Sequence, residues 1–225
     1  GSEPMGQVRI GVPGTIGPLI TVPLIEAAQR LYPRIRVTVS EAMSGFVINW
    51  LSEGQIDLAI VYTEPNERAL RSEVILNEEV FAISQPGKLA GGSVDIATLA
   101  SLPLIVPSHG HGLRKLIDEY FAEHGAQPRI AMEIDSFSSI KALVARGHGA
   151  SLLPMHAVAD ELRSGRMEAV PVREKPFQRS ILLASQTTRP MTRCQSAIYE
   201  LLRITMIEVA QSGAWPGVNM TRHGE

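Results

Sequence analysis

Val8, Ile10 and Val12 are apolar with Arg9 and Gly11 between them, and the run stops at Pro13-Gly14, so the chain opens with a short strand delivered to a turn. Ile16, Ile20, Leu24, Ala28 and Leu31 then recur at helical spacing up to Tyr32-Pro33, with Pro23 either starting the regular part or kinking it. Ile35, Val37 and Val39 alternate as a second strand. Phe46 to Leu51 predicts a short helix closed by Gly54, and Ile56-Asp57-Leu58-Ala59-Ile60-Val61 is an apolar run of the kind a strand covered on both faces shows. Strand, helix, strand, helix, strand in this order implies parallel pairing with right-handed crossovers.

Two short strands, Val74-Ile75-Leu76 and Val80-Phe81-Ala82-Ile83, precede the polar segment Ser84-Gln85-Pro86-Gly87. The alternation then restarts: Leu102 to Val106, a helix near Arg114 to His124, Ile130 to Ile134, a helix from Ile140 to Arg146, and Ala150 to Leu153. Val170-Pro171-Val172 and Ile181 to Ala184 lead into Ser185 to Pro190, and a last helix carries Ala197, Ile198, Leu201, Leu202 and Ile204 inward. The reading is an α/β protein of two lobes joined by two crossover segments. Lobe I comprises 7–84 and 187–212 and is discontinuous, lobe II comprises 85–186, and the polar stretch 213–225 is expected to fray.

Composition narrows the function. The 225 residues are 44% hydrophobic and 20% charged, the balance of a folded soluble protein. Lys and Arg number 21 against 23 Asp and Glu, a net charge of −2, with the basic residues scattered, so the chain is a poor binder of a phosphate backbone. A single cysteine, Cys194, excludes an internal disulfide. No segment approaches the ~20 apolar residues of a membrane span and the N-terminus lacks the order of a secretion signal, so a cytoplasmic protein with no membrane partner is expected. Gly1-Ser2 resembles the scar of an engineered cleavage site, and the chain is expected to be cut from something longer.

The chemistry concentrates where strands hand over to helices. Ligands of open α/β sheets sit beyond the carboxyl ends of the strands, which for two lobes places the site in the cleft between them. Gly11, Gly14 and Gly17 have the wrong spacing for a dinucleotide fingerprint, but Gly14 suits a tight turn and Thr15 is placed to cap the helix and offer its hydroxyl. Ser44 beside Gly45, the loop holding His109, and Asp135 to Ser138 repeat the layout, with Phe137 as an apolar wall. Each helix start has N–H groups without intrahelical partners and favours an anion by about 0.3 to 1 kcal/mol, so the expected ligand is a small carboxylate or other oxyanion. His109-Gly110-His111 lacks the ligand count of a metal site, and no metal is expected. There is neither a G-x-S-x-G elbow nor an S-x-x-K, Asp57 has the place of a turn or capping residue, and no catalytic residue, cofactor or enzymatic activity is expected.

Two longer pieces carry a family likeness: Ser52-Glu53-Gly54-Gln55-Ile56-Asp57-Leu58-Ala59-Ile60, and Leu143-Val144-Ala145-Arg146-Gly147-His148-Gly149-Ala150-Ser151-Leu152-Leu153-Pro154. With them the chain resembles the effector-binding domain of LysR-type transcriptional regulators from Val8 to about Ala210. The resemblance implies a type 2 periplasmic-binding-protein-like fold of two Rossmann-like lobes, and a bacterial regulator that holds a small metabolite in the inter-lobe cleft. It also implies a homodimer or homotetramer, with DNA reached through an N-terminal winged helix-turn-helix that this chain lacks. By position it nominates Thr15, Ser44, His109, Ser136, Phe137 and Ser138 as effector contacts, with Gly14 and Gly45 shaping the loops. The alternative is a periplasmic solute-binding protein for a small anion or amino acid, which shares the fold.

Overall fold

The alternation at the start of the chain builds β1 (Gly6–Pro13), with Val8, Ile10 and Val12 fully buried. In this computed structural model, which describes residues 3–89 and 91–220, the helical repeat that follows is α1 (Gly17–Leu31), burying Ile20, Leu24 and Ala28. Pro18 stands in its first turn, where a missing N–H costs nothing, and Pro23 lies inside the helix. Next come β2 (Ile35–Ala42), α2 (Ser44–Ser52) and β3 (Leu58–Val61). Both β2 and β3 run parallel to β1, Val37 opposite Val8 and Leu58 opposite Ile10.

A single strand, β4 (Leu70–Ser84), occupies the stretch where the sequence reading placed two short ones. Asn77-Glu78-Glu79 breaks the apolar pattern, but Glu78 is buried among ion partners, so the strand runs on. Then follow α3 (Ile96–Ser101), β5 (Leu104–Val106), α4 (Gly112–Glu123), β6 (Ile130–Glu133), α5 (Phe137–Ala145) and β7 (Ser151–Pro154). After a 3-10 turn at Met155–Val158 come α6 (Ala159–Arg163), β8 (Glu168–Val170), β9 (Gln178–Gln186), α7 (Arg193–Gln211) and β10 (Val218–Met220).

The chain divides into two compact units, Gly1–Asn77 with Ser180–Glu225, and Glu78–Arg179. It passes from one to the other inside β4 and inside β9, not in the polar segments Ser84 to Gly87 and Ser185 to Pro190 that the sequence marks as crossings. A strand that continues through such a boundary carries no turn residues to announce it.

In unit 1 the strand order is β2-β1-β3-β9-β4-β10, with β9 antiparallel to β3. One face packs Val8, Ile10, Val12, Ile20 and Leu24 against Ile198, Leu202 and Met206 of α7. The other carries a smaller cluster of Val47, Leu51, Ile56, Ala59, Val61 and Leu182. Burial of a Leu or Ile side chain contributes roughly 1.5–3 kcal/mol, so both layers hold the sheet. Thr192 caps α7 reciprocally with Gln195, each accepting from the other's backbone N–H. Where a frayed tail was expected from Gly213, Trp215 is buried against the α7 side and Val218–Met220 pairs with β4; residues 221–225 of that tail lie outside the described residues.

In unit 2, β7 and β8 run antiparallel to the end of β4, and β5 pairs with β6 in parallel. Leu104 also bridges Ala150, which brings β5 beside the start of β7. Ile105, Val106, Ile117, Phe121, Ile140, Val144 and Leu153 form the core.

Candidate functional site

β1 and β2 end side by side. Pro13 stands opposite Ala42, and the Gly14 N–H donates to the Ala42 carbonyl at 3.1 Å. The turns into α1 and α2 therefore leave unit 1 at one edge, at the carboxyl ends of the two strands. Neither helix has an acidic residue in its first turn or a side-chain cap on its N-cap residue. Thr15 does not cap α1 as expected: the N-cap is Ile16, and the Thr15 hydroxyl lies 2.6 Å from the Tyr62 hydroxyl, buried at the end of β3. Ser44 is the first residue of α2 and is buried. Among the described residues, neither Gly14 nor Gly45 has the left-handed backbone that turn chemistry would reserve for glycine.

The parallel pair β5 and β6 delivers two more helix starts. Asp135 ties their loops together: its carboxylate accepts from the Ser108 N–H at 2.8 Å and the Ser108 hydroxyl at 2.6 Å, and lies 3.5 Å from the His111 imidazole. Burial alone would raise the Asp135 carboxyl, but the Ser108 donors and then His111 outweigh it and hold the group below the usual carboxylate range. Gly110, at φ +95°, turns the loop so that its two histidines diverge. His111 is buried against Asp135. His109 is exposed and sits 3.1 Å from an Arg114 nitrogen and 3.5 Å from Asp118, on the flank of α4. His109, the histidine nominated from the sequence, is thus the exposed one of the pair, and His111 the buried one. Arg114 itself is buried, held by Asp118, Glu133 at 2.7 Å and the Pro107 carbonyl.

Ser136 is the N-cap of α5, its hydroxyl accepting from the Ser139 N–H at 3.3 Å and lying 3.1 Å from the Ser138 hydroxyl. Ser138 is exposed, and Phe137 is half-buried against the unit 2 core. Unit 1 thus brings Thr15 and Ser44 to one edge, and unit 2 brings Ser136, Phe137 and Ser138 near the Asp135 clasp. Taken unit by unit, these are helix starts, whose N–H groups favour a small polar or anionic group. Among the described residues, no three His, Cys, Asp or Glu stand together as a metal site, and no helix is long and apolar enough to cross a membrane.

The two pieces that carry the family likeness serve folding. Asp57 accepts from the Arg9 backbone N–H at 2.7 Å and pairs with the Arg9 guanidinium, which also donates to the carbonyl of left-handed Gly54 at 2.9 Å. Gly147, at φ +82°, closes α5, and a side chain on Gly149 would lie 2.4 Å from the Pro103 carbonyl oxygen, so the approach of that turn to β5 needs a glycine.

These turns and strands have known counterparts. Residues 1–206 match the model of the LysR substrate binding domain, and the chain belongs to that family. It is similar to the nitrogen assimilation regulatory protein nac of Escherichia coli (strain K12), 33% identical over 154 residues, 68% of this chain and 50% of nac. It is also similar to the HTH-type transcriptional regulator BbuR of Bordetella bronchiseptica, 24% identical over 214 residues, 94% of this chain and 66% of BbuR. The chain spans about half the length of nac. Among solved structures it resembles the effector binding domain of QuiR in complex with shikimate (TM-score 0.82, 22% identity, 91% of this chain and 99% of that one). The Synechocystis PCC6803 CcmR regulatory domain in complex with 2-PG is a further match (TM-score 0.79, 24% identity, 89% and 98%). The fold is the type 2 periplasmic-binding-protein-like α/β architecture expected from the sequence.

Proposed function

We propose that this chain is the effector-sensing part of a bacterial LysR-type transcriptional regulator. It binds a small anionic metabolite through the strand-to-helix turns that carry Thr15, Ser44, His109 and Ser136 to Ser138, and the bound effector sets the geometry of a DNA-bound homodimer or homotetramer. DNA is contacted by a winged helix-turn-helix segment N-terminal to this chain, and the whole protein works in the cytoplasm without catalysing a reaction. The observation that carries the reading is the family match over residues 1–206. The helix starts at α1, α2, α4 and α5 supply its physical basis, since each attracts negative charge and none has an acidic residue in its first turn. A ligand acts by its differential affinity for two conformations, so contacts made in only one of them bias the equilibrium. The alternative of a periplasmic solute receptor shares the fold but is not what the family match favours.

A thermal-shift screen of carboxylates, amino acids, sulfate and phosphate on this chain, with calorimetry on each compound that raises the melting temperature, tests the reading. One-site binding of an anionic compound is expected. A flat response to every class would count against it.

A further inference from the structure

Glu41 is the penultimate residue of β2 and stands opposite Val12 in the parallel register, so its side chain falls on the face of the sheet that α1 covers. There its carboxyl group lies against the first residue of α1: a Cβ added to Gly17 would stand 2.0 Å from the Glu41 Oε2 and 2.6 Å from its Cδ. The place exists only because residue 17 is glycine. Three other carboxylates of the chain have donors: Asp57 has Arg9, Asp135 has Ser108, and Glu168 has the N–H groups of Gly87 and Leu89. Among the described residues, no hydrogen bond or ion pair reaches the Glu41 carboxylate. Partial burial raises its carboxyl pKa with nothing to oppose the shift, while the residue stays exposed. A solvent-accessible carboxylate thus stands at the edge where Thr15 and Ser44 emerge, over the helix start that would otherwise draw an anion.

We propose that Glu41 determines the ligand class at the unit 1 turns: it rejects simple anions and selects a molecule that presents a hydroxyl or ammonium donor in addition to its anionic group. The inference rests on the effector-binding reading and narrows it, from any small anion to a hydroxy acid or an amino acid. Glu41 acts as an internal carboxylate already seated at the start of α1. A bare anion meets repulsion there, and a donor finds an acceptor in the Glu41 carboxylate.

The test is a thermal-shift and calorimetric comparison of the wild-type chain, Glu41→Gln and Gly17→Ala, using acetate and sulfate as bare anions and glycolate, glycine, serine and shikimate as donor-bearing ones. In the wild type at least one donor-bearing compound binds and the bare anions do not. Glu41→Gln, which keeps the shape and removes the charge, weakens that compound at least tenfold and lets acetate or sulfate bind. Gly17→Ala, which pushes the carboxyl group off its place without changing charge, weakens the donor-bearing compound as well. Bare anions that bind the wild type as tightly as their donor-bearing counterparts, or a Glu41→Gln variant with unchanged preferences, would overturn the inference while leaving the effector reading standing. Silence of all three proteins towards all six compounds would overturn both.

Discussion

Glu78 shows how far a single residue departs from what its type implies. Its side chain is 1% exposed, with one oxygen 2.7 Å from the Arg179 Nε and the other 3.0 Å from the His156 Nε2. Burial by itself would raise the carboxyl, but Arg179 and then His156 override it and bring the pKa from 4.5 down to about 2. Because the folded-state value is depressed, the stabilisation is complete above the unfolded value and is lost as pH falls from 4.5 towards about 2. Acid unfolding of the wild type followed by circular dichroism should steepen in that window, and a Glu78→Gln variant should lack that part of the slope. Glu78→Ala at neutral pH leaves Arg179 buried without its carboxylate and should cost about 3–5 kcal/mol in urea denaturation. At the proposed contacts the expected effects are smaller. Thr15→Ala, Ser44→Ala and Ser138→Ala should each weaken effector binding by about 0.5–2 kcal/mol in calorimetry while the fold persists. Residue types and spacings placed Thr15, Ser44 and Ser136 to Ser138 at helix starts, because hydroxyl residues after a strand mark such starts. They did not show that the Thr15 hydroxyl turns to Tyr62, nor which histidine of the His109-Gly110-His111 loop turns inward, since both depend on neighbours distant in sequence or on a backbone angle.

At the scale of elements, periodicity was a good guide wherever burial follows the chain's own rhythm. β1, α1, β2 and β3 lie where their apolar positions put them, because each buries one face or both against a continuous core. Leu58, fully buried in β3 and opposite both Ile10 and Ser185, is a direct check. Leu58→Ala should destabilise unit 1 by ~2–5 kcal/mol in chemical denaturation, and a loss below ~1 kcal/mol would show that the site repacks. The pattern failed at β4, where Asn77-Glu78-Glu79 interrupts the apolar run between the two strands read from the sequence. The partner that permits burial there, Arg179, is 101 residues away, and no local window contains it. It failed again at Trp215, whose burial depends on the α7 face rather than on its polar neighbours.

At the scale of the whole molecule, the fold class was legible because the alternation of strands and helices, the G-x-x-D clasp of Gly54 and Asp57, and the Gly147 to Gly149 turn are backbone requirements written into residue type. The effector's identity is not written that way. The orientation of side chains such as Glu41 and His111 is set by contacts with residues far along the chain. Self-association is expected of the proposed regulator, and light scattering of the isolated chain should give twice its 24.4 kDa. A monomer at every concentration would contradict self-association through this chain. The central proposal is that these residues sense a small polar molecule through helix-start turns. Amide chemical-shift mapping by NMR, with the compound that most raises the melting temperature, tests it most directly. The account predicts that the amides around Thr15, Ser44, His109 and Ser136 to Ser138 shift together and saturate with one dissociation constant; saturating shifts confined to other parts of the chain would contradict it.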